Sequence, residues 1–118
     1  MFEDTYMTAR EYLDRVRDAK ETIDMLEARI SLRKEIGAET VELEVELANA
    51  RDVLKVRQAD AADTISRLKG SRTQLVLLKR YVELKTWEQI AVEMDCTVRR
   101  VQSIHGGGLI QLEDRLGE

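Results

Sequence analysis

Residues 86–112 read TWEQIAVEMDCTVRRVQSIHGGGLIQL, and the reading of this stretch decides the fold. Two short helices joined by a tight turn bring their backbones close at one point. A small residue is then needed midway along the first helix, and apolar residues must face the crossing from both. Ala91 occupies the small position, Ile90 and Met94 flank it at helical spacing, Cys96 plugs the turn, and Val101 and Ile104 supply the inner face of the second helix. Thr86 with Gln89 has the spacing of a capping box, and Thr97 is placed to cap the second helix. Asp95 stands where a glycine is usual, and Asp enters the left-handed region more readily than most non-glycine residues. The pattern predicts a helix-turn-helix.

Upstream, heptad spacing predicts a long antiparallel helical hairpin over residues 1–70, so that the whole chain is all-α, with residues 71–118 forming a separate head. Ala9, Val16, Ile23 and Ile30 recur every seven residues, with Tyr12, Ala19 and Leu26 between them. Arg33 breaks this seam, and Gly37 after Ile36 reads as a helix stop. From Thr40 a second stripe carries Leu43, Leu47, Ala50, Leu54, Ala61 and Leu68, interrupted by Arg57 and Thr64. Helices of roughly 28–32 residues, about 42–48 Å long, are expected. The second stripe is dilute, so the hairpin is expected to pair with another copy through Val16, Ile23, Leu26, Ile30, Leu47 and Leu54, giving a homodimer. At Gly70 two readings stay open. Ser71 with Gln74 has capping-box spacing, which starts a new helix, whereas Leu75 keeps the register of Leu68, which fits a helix running through.

Composition narrows the function classes. The chain has 118 residues, 36% of them charged, and no proline. No apolar run suffices to cross a bilayer and the N-terminal stretch lacks the basic-then-apolar pattern of a signal peptide, so a cytoplasmic location is expected. One cysteine and one histidine supply neither a disulfide nor a set of soft metal ligands. There is no nucleophile-base pair, phosphate loop or paired-carboxylate signal, so neither an enzyme nor a cofactor is expected. The net charge of −4 comes from residues 1–70, with 12 basic and 16 acidic side chains, while residues 71–118 carry 7 of each. Lys79, Arg80, Lys85, Arg99 and Arg100 cluster around the helix-turn-helix, and local placement of this kind is what favours a phosphate backbone.

The run LLKRYVELKTWEQIAVEMDCTVRRVQSIHGGGL resembles the promoter-reading C-terminal domain of bacterial sigma factors. It is similar to small phage and prophage proteins of the late-gene transcriptional activator type, which pair a helical N-terminal half with a sigma-like helix-turn-helix. The specific part spans roughly Leu77 to Leu112. The opening MTAREYLDRVRDAKETIDMLEARI, Met7 to Ile30, is similar to the start of such proteins. The resemblance implies a DNA-binding transcription regulator in a bacterial host cell, with double-stranded DNA and RNA polymerase as partners. A packaging component of the small-terminase kind and a protein-protein adaptor are the alternatives.

Within this frame Val98, Arg99, Gln102 and Ser103 match the base-reading positions. Arginine and glutamine each make paired hydrogen bonds to a purine edge. The first position is usually arginine in the resembling proteins, so Val98 offers only a methyl contact to thymine. Lys85, Thr86, Thr97 and Arg100 suit the DNA backbone, and His105 is expected on the surface, facing phosphate. Trp87 is expected to pack against the preceding helix. Gly106, Gly107 and Gly108 would cost a helix roughly 2–3 kcal/mol relative to alanine. Two readings remain for them: a recognition helix that ends near His105 and restarts at Leu109, or one that continues, held by Leu109 and Leu112.

Overall fold

The computed structural model describes residues 7–117, and every regular element among them is helical. Helix α1 covers Ala9–Glu35 and α2 covers Val41–Ile65, and they pack against each other as a hairpin. The short α3, Ser71–Leu77, passes directly into a π turn, Leu78–Val82. Then come α4, Trp87–Glu93, and α5, Val98–Leu116. No helix among the described residues is long and apolar enough to cross a membrane.

Local chemistry sets the boundaries. Thr8 caps α1 through a full capping box with Glu11. The helix stops as expected at Gly37, whose φ of +72° suits a residue without Cβ. The Gly37 N–H donates to the Lys34 carbonyl and the Ala38 N–H to that of Arg33, which closes the helix end in a Schellman motif. At the next boundary the broken reading holds: Gly70, with φ +93°, precedes α3. The capping box expected at Ser71 does not form. Ser71 is already the first helical residue, and the Gln74 side chain instead donates to the Leu68 carbonyl at 2.7 Å.

Hydrophobic burial explains the arrangement better than the heptads do. Val16, Ile23, Leu26, Ile30 and Leu47 are buried, Leu54 is half-buried, and all six pack within one chain. This corrects their assignment to a contact between copies, since the two helices of one hairpin already cover them. Leu13 and Ile65 lie outside the predicted stripes yet are 0% and 1% exposed. They join Ala9, Val16, Ala61, Leu68, Leu77, Tyr81 and Leu112 in a cluster that spans hairpin and head. The head therefore buries a wider arc of α1 and α2 than a lone hairpin would. Gly70 is a boundary of chain direction, while the core runs across it. The interruptions in the second stripe are satisfied across the hairpin: Arg57 donates to the Arg15 carbonyl at 2.9 Å, and Thr64 Oγ1 shares a hydrogen bond with the Tyr12 hydroxyl at 2.9 Å.

Helix α5 runs unbroken through Gly106–Gly108, which settles the second open reading in favour of continuity. Only Gly108 has a steric reason. A Cβ there would lie 3.0 Å from Leu77 Cδ1 and 3.0 Å from Thr73 Cγ2, so α3 and α5 approach closely at this point, whereas Gly106 and Gly107 face no atom within 4 Å. Alanine at 106 or 107 should stabilise the protein by about 0.5–1 kcal/mol through helix propensity. Alanine at 108 should lower stability, because Leu77 is fully buried and has little room to yield. Urea unfolding of the three single variants tests this, and equal stabilisation by all three would exclude the close approach.

Candidate nucleic-acid interface

The α4–α5 pair is built as its residues dictate. Thr86 forms the expected capping box: its hydroxyl accepts from the Gln89 N–H at 3.1 Å, and the Gln89 side chain accepts from the Thr86 N–H at 2.8 Å. Helix α4 ends in a second Schellman motif, with the Cys96 N–H donating to the Ala91 carbonyl and the Asp95 N–H to that of Val92. Asp95 has φ +54°, the left-handed conformation its position requires. The Thr97 hydroxyl then accepts from the Arg100 N–H at 3.0 Å and caps α5. Ile90, Ala91, Met94 and Val101 are buried with Val76 of α3, and Cys96 and Ile104 pack on them.

This leaves Arg99, Arg100, Gln102 and Ser103 exposed on the first two turns of α5. Neither arginine makes an ion pair among the described residues. Val98, placed by the sequence with the base readers, is instead half-buried against the head core. It follows the turn directly, and its apolar side chain takes the inner side. The second half of α5 serves another purpose. Glu113 Oε2 accepts from the Ala9 N–H, Gln111 pairs with the backbone of Lys69 through two hydrogen bonds, and Leu112 enters the shared core.

The basic cluster is largely committed to the protein itself. Glu93 receives Lys79 Nζ at 2.6 Å and Lys85 Nζ at 2.7 Å, and Lys85 also lies 3.3 Å from Glu83. Hydrogen bonds from Lys79 first and Lys85 second hold the Glu93 carboxyl below the usual carboxylate range. The Arg80 guanidinium sits 4.2 Å from the Trp87 ring centroid and donates to the Lys85 carbonyl at 3.1 Å. Lys85 and Thr86 lie at the start of α4, near the head surface, but Lys85 reaches a phosphate only by releasing Glu93. Exposed pairs of this kind are worth at most about 1 kcal/mol, so the exchange is open to a polyanion.

His105 requires correction. It is 5% exposed, enclosed between helices instead of facing solvent. Its Nε2 and the Tyr81 hydroxyl share a hydrogen bond of 2.6 Å, and the Trp87 ring meets it edge-on at 4.8 Å. The sequence hid this because the partner, Tyr81, is turned inward in the π turn preceding α4. Trp87 packs inward on the head core, but its ring meets His105 of α5 as well as Arg80 of the preceding turn. Burial, reinforced by the charges of Arg10 and Arg80, lowers the His105 pKa from 6.5 to about 4. No family model, curated protein or solved structure matches the chain.

The histidine makes stability depend on pH in a definite direction. Above pH 6.5 it is neutral in both folded and unfolded chains; between 6.5 and about 4 only the unfolded chain takes the proton. Stability should therefore fall as pH drops through that window, by at most about 1.4 kcal/mol per unit. His105→Gln should flatten this part of the profile, measured by denaturant midpoints against pH. An unchanged slope would assign it to the carboxylates.

Proposed function

We propose that this protein is a DNA-binding transcription regulator of phage or prophage type, which places the exposed first turns of α5 in the major groove near a promoter. The observation that carries the reading is the group of Arg99, Gln102 and Ser103 on one capped, solvent-facing helix start, with α4 packed behind it. Arg99 suits guanine and Gln102 adenine. Arg100, Lys85 and the backbone donors at the starts of α4 and α5 suit phosphates, with Thr86 and Thr97 acting first as caps. The sigma-like sequence pattern over Leu77 to Leu112 supports the same reading, with RNA polymerase as the protein partner.

The low net charge limits what one head contributes, and a homodimer would bring two heads to one site. The buried seam of the hairpin is unavailable for this. Away from the seam, α1 exposes Met25 and Leu32 on one side of the hairpin and α2 exposes Val41 and Val45 on the other, and a second copy would cover one of these two sides.

Arg99→Ala and Gln102→Ala should each cost about 1–3 kcal/mol on a selected site and far less on random duplex. Glu93→Gln should raise affinity for all duplexes and steepen its salt dependence, since Lys79 and Lys85 become available to phosphate. Fluorescence anisotropy on both kinds of duplex measures these effects; equal losses on both for Arg99→Ala would remove its base-reading role. For assembly, Leu32→Asp with Val45→Asp should shift sedimentation from dimer to monomer while leaving helicity intact. A wild-type monomer at high concentration would end the dimer reading.

A further inference from the structure

Beside the start of α4 lies a cavity of about 260 Å3, lined by Arg10, Asp14 and Arg17 of α1, Arg80 and Tyr81 of the π turn, and Trp87. Arg10 and Arg17 are seven residues apart, two helical turns, and so project from one side of α1. Arg80 comes from the head. It is held in place before any ligand arrives, by its bond to the Lys85 carbonyl and by the Trp87 face beneath it.

Three guanidinium groups thus line one small space against a single carboxylate. Among the described residues none of the three makes an ion pair. Their proximity has an electrostatic cost: after burial, the charge of Arg17 and, least, that of Arg10 act to hold Arg80 below its usual pKa, partly offset by Tyr81 and Asp14. An anion in the cavity relieves that repulsion. Among anions, phosphate matches the planar fork of arginine, which can offer two parallel donors to two oxygens.

We propose that this cavity at the junction of hairpin and head binds a phosphate group through Arg10, Arg17 and Arg80. The site does not depend on base reading by α5. The phosphate belongs either to a free small molecule or to the backbone of a duplex passing the start of α4. The recognition chemistry is the same for both.

Trp87 is the chain's single tryptophan, and with Arg80 over its ring its emission reports on the cavity directly. The full-length protein is titrated at constant ionic strength with inorganic phosphate and, separately, with a short duplex of random sequence. At least one of the two should give a saturable change in Trp87 emission. Arg17→Ala should weaken that binding by roughly tenfold or more, the loss of one charge-assisted contact. Arg29→Ala, an exposed position further along α1, should leave it unchanged. Arg17→Lys, which keeps the charge without the fork, should fall between wild type and Arg17→Ala. Saturation by inorganic phosphate identifies a small-molecule site, and saturation by duplex alone a backbone site. No saturable change of the wild-type protein with either probe would overturn the proposal, as would equal weakening by Arg29→Ala and Arg17→Ala.

Discussion

The packing of Leu77 and Tyr81 among Leu13, Val16, Ile65 and Leu112 is the interaction on which the rest of the structure depends. Each such side chain contributes about 1.5–3 kcal/mol on full burial, and these come from every part of the chain except α4. A hairpin of two narrow stripes buries little, and a head of three short helices buries little. Joined through this cluster, they form one core with two extensions. The distal hairpin extension is held by Ile23, Leu26, Ile30, Leu43 and Leu47, and the head extension by Val76, Ile90, Ala91, Met94 and Val101. Helix α5 belongs to both halves: its first turns face solvent and its last turns are bonded to the start of α1 and to the α2–α3 loop.

Much of this was legible in the residues. Local signals carried through at the capping box of Thr86, the cap at Thr97, the helix stop at Gly37 and the left-handed Asp95, all with partners within about five positions, but not at Ser71, where Gln74 turns to the Leu68 carbonyl. What could not be read was long-range. Leu13 and Ile65 fall off the heptads because the head, not the partner helix, completes their burial. His105 looked like a surface residue because nothing in its neighbourhood announces Tyr81, which lies 24 positions earlier. Val98 was assigned outward by analogy of position, but an apolar side chain beside a tight turn finds cover in the head core. The continuous course of α5 through three glycines was undecidable from propensity alone. Its resolution rests on the contact of Gly108 with α3, a fact of packing.

Electrostatics divides the basic residues into two sets that the sequence presented as one. Lys79 and Lys85 share the Glu93 carboxylate, Lys85 lies also beside Glu83, and Arg80 is braced against Trp87. Arg99 and Arg100 remain exposed. Under the proposed DNA-binding function, affinity for a polyanion would depend on an exchange at Glu93 as well as on the charges already presented to solvent. The overall acidity of the chain says little about this, because most of the excess carboxylates lie on the hairpin.

The π turn at Leu78–Val82 sets how α4 leaves α3. A π turn holds one residue more than the α-helical turn it replaces, here with the Glu83 N–H reaching back to the Leu78 carbonyl. Removing that residue would restore ordinary helix and rotate everything downstream by about 100°. Tyr81 would then leave His105, and Trp87 would leave the cavity it lines with Arg10, Asp14 and Arg17. The inserted position is thus one determinant of where the solvent-facing start of α5 points, beside the docking of its last turns on α1 and the α2–α3 loop, and a one-residue length change there would set the two against each other.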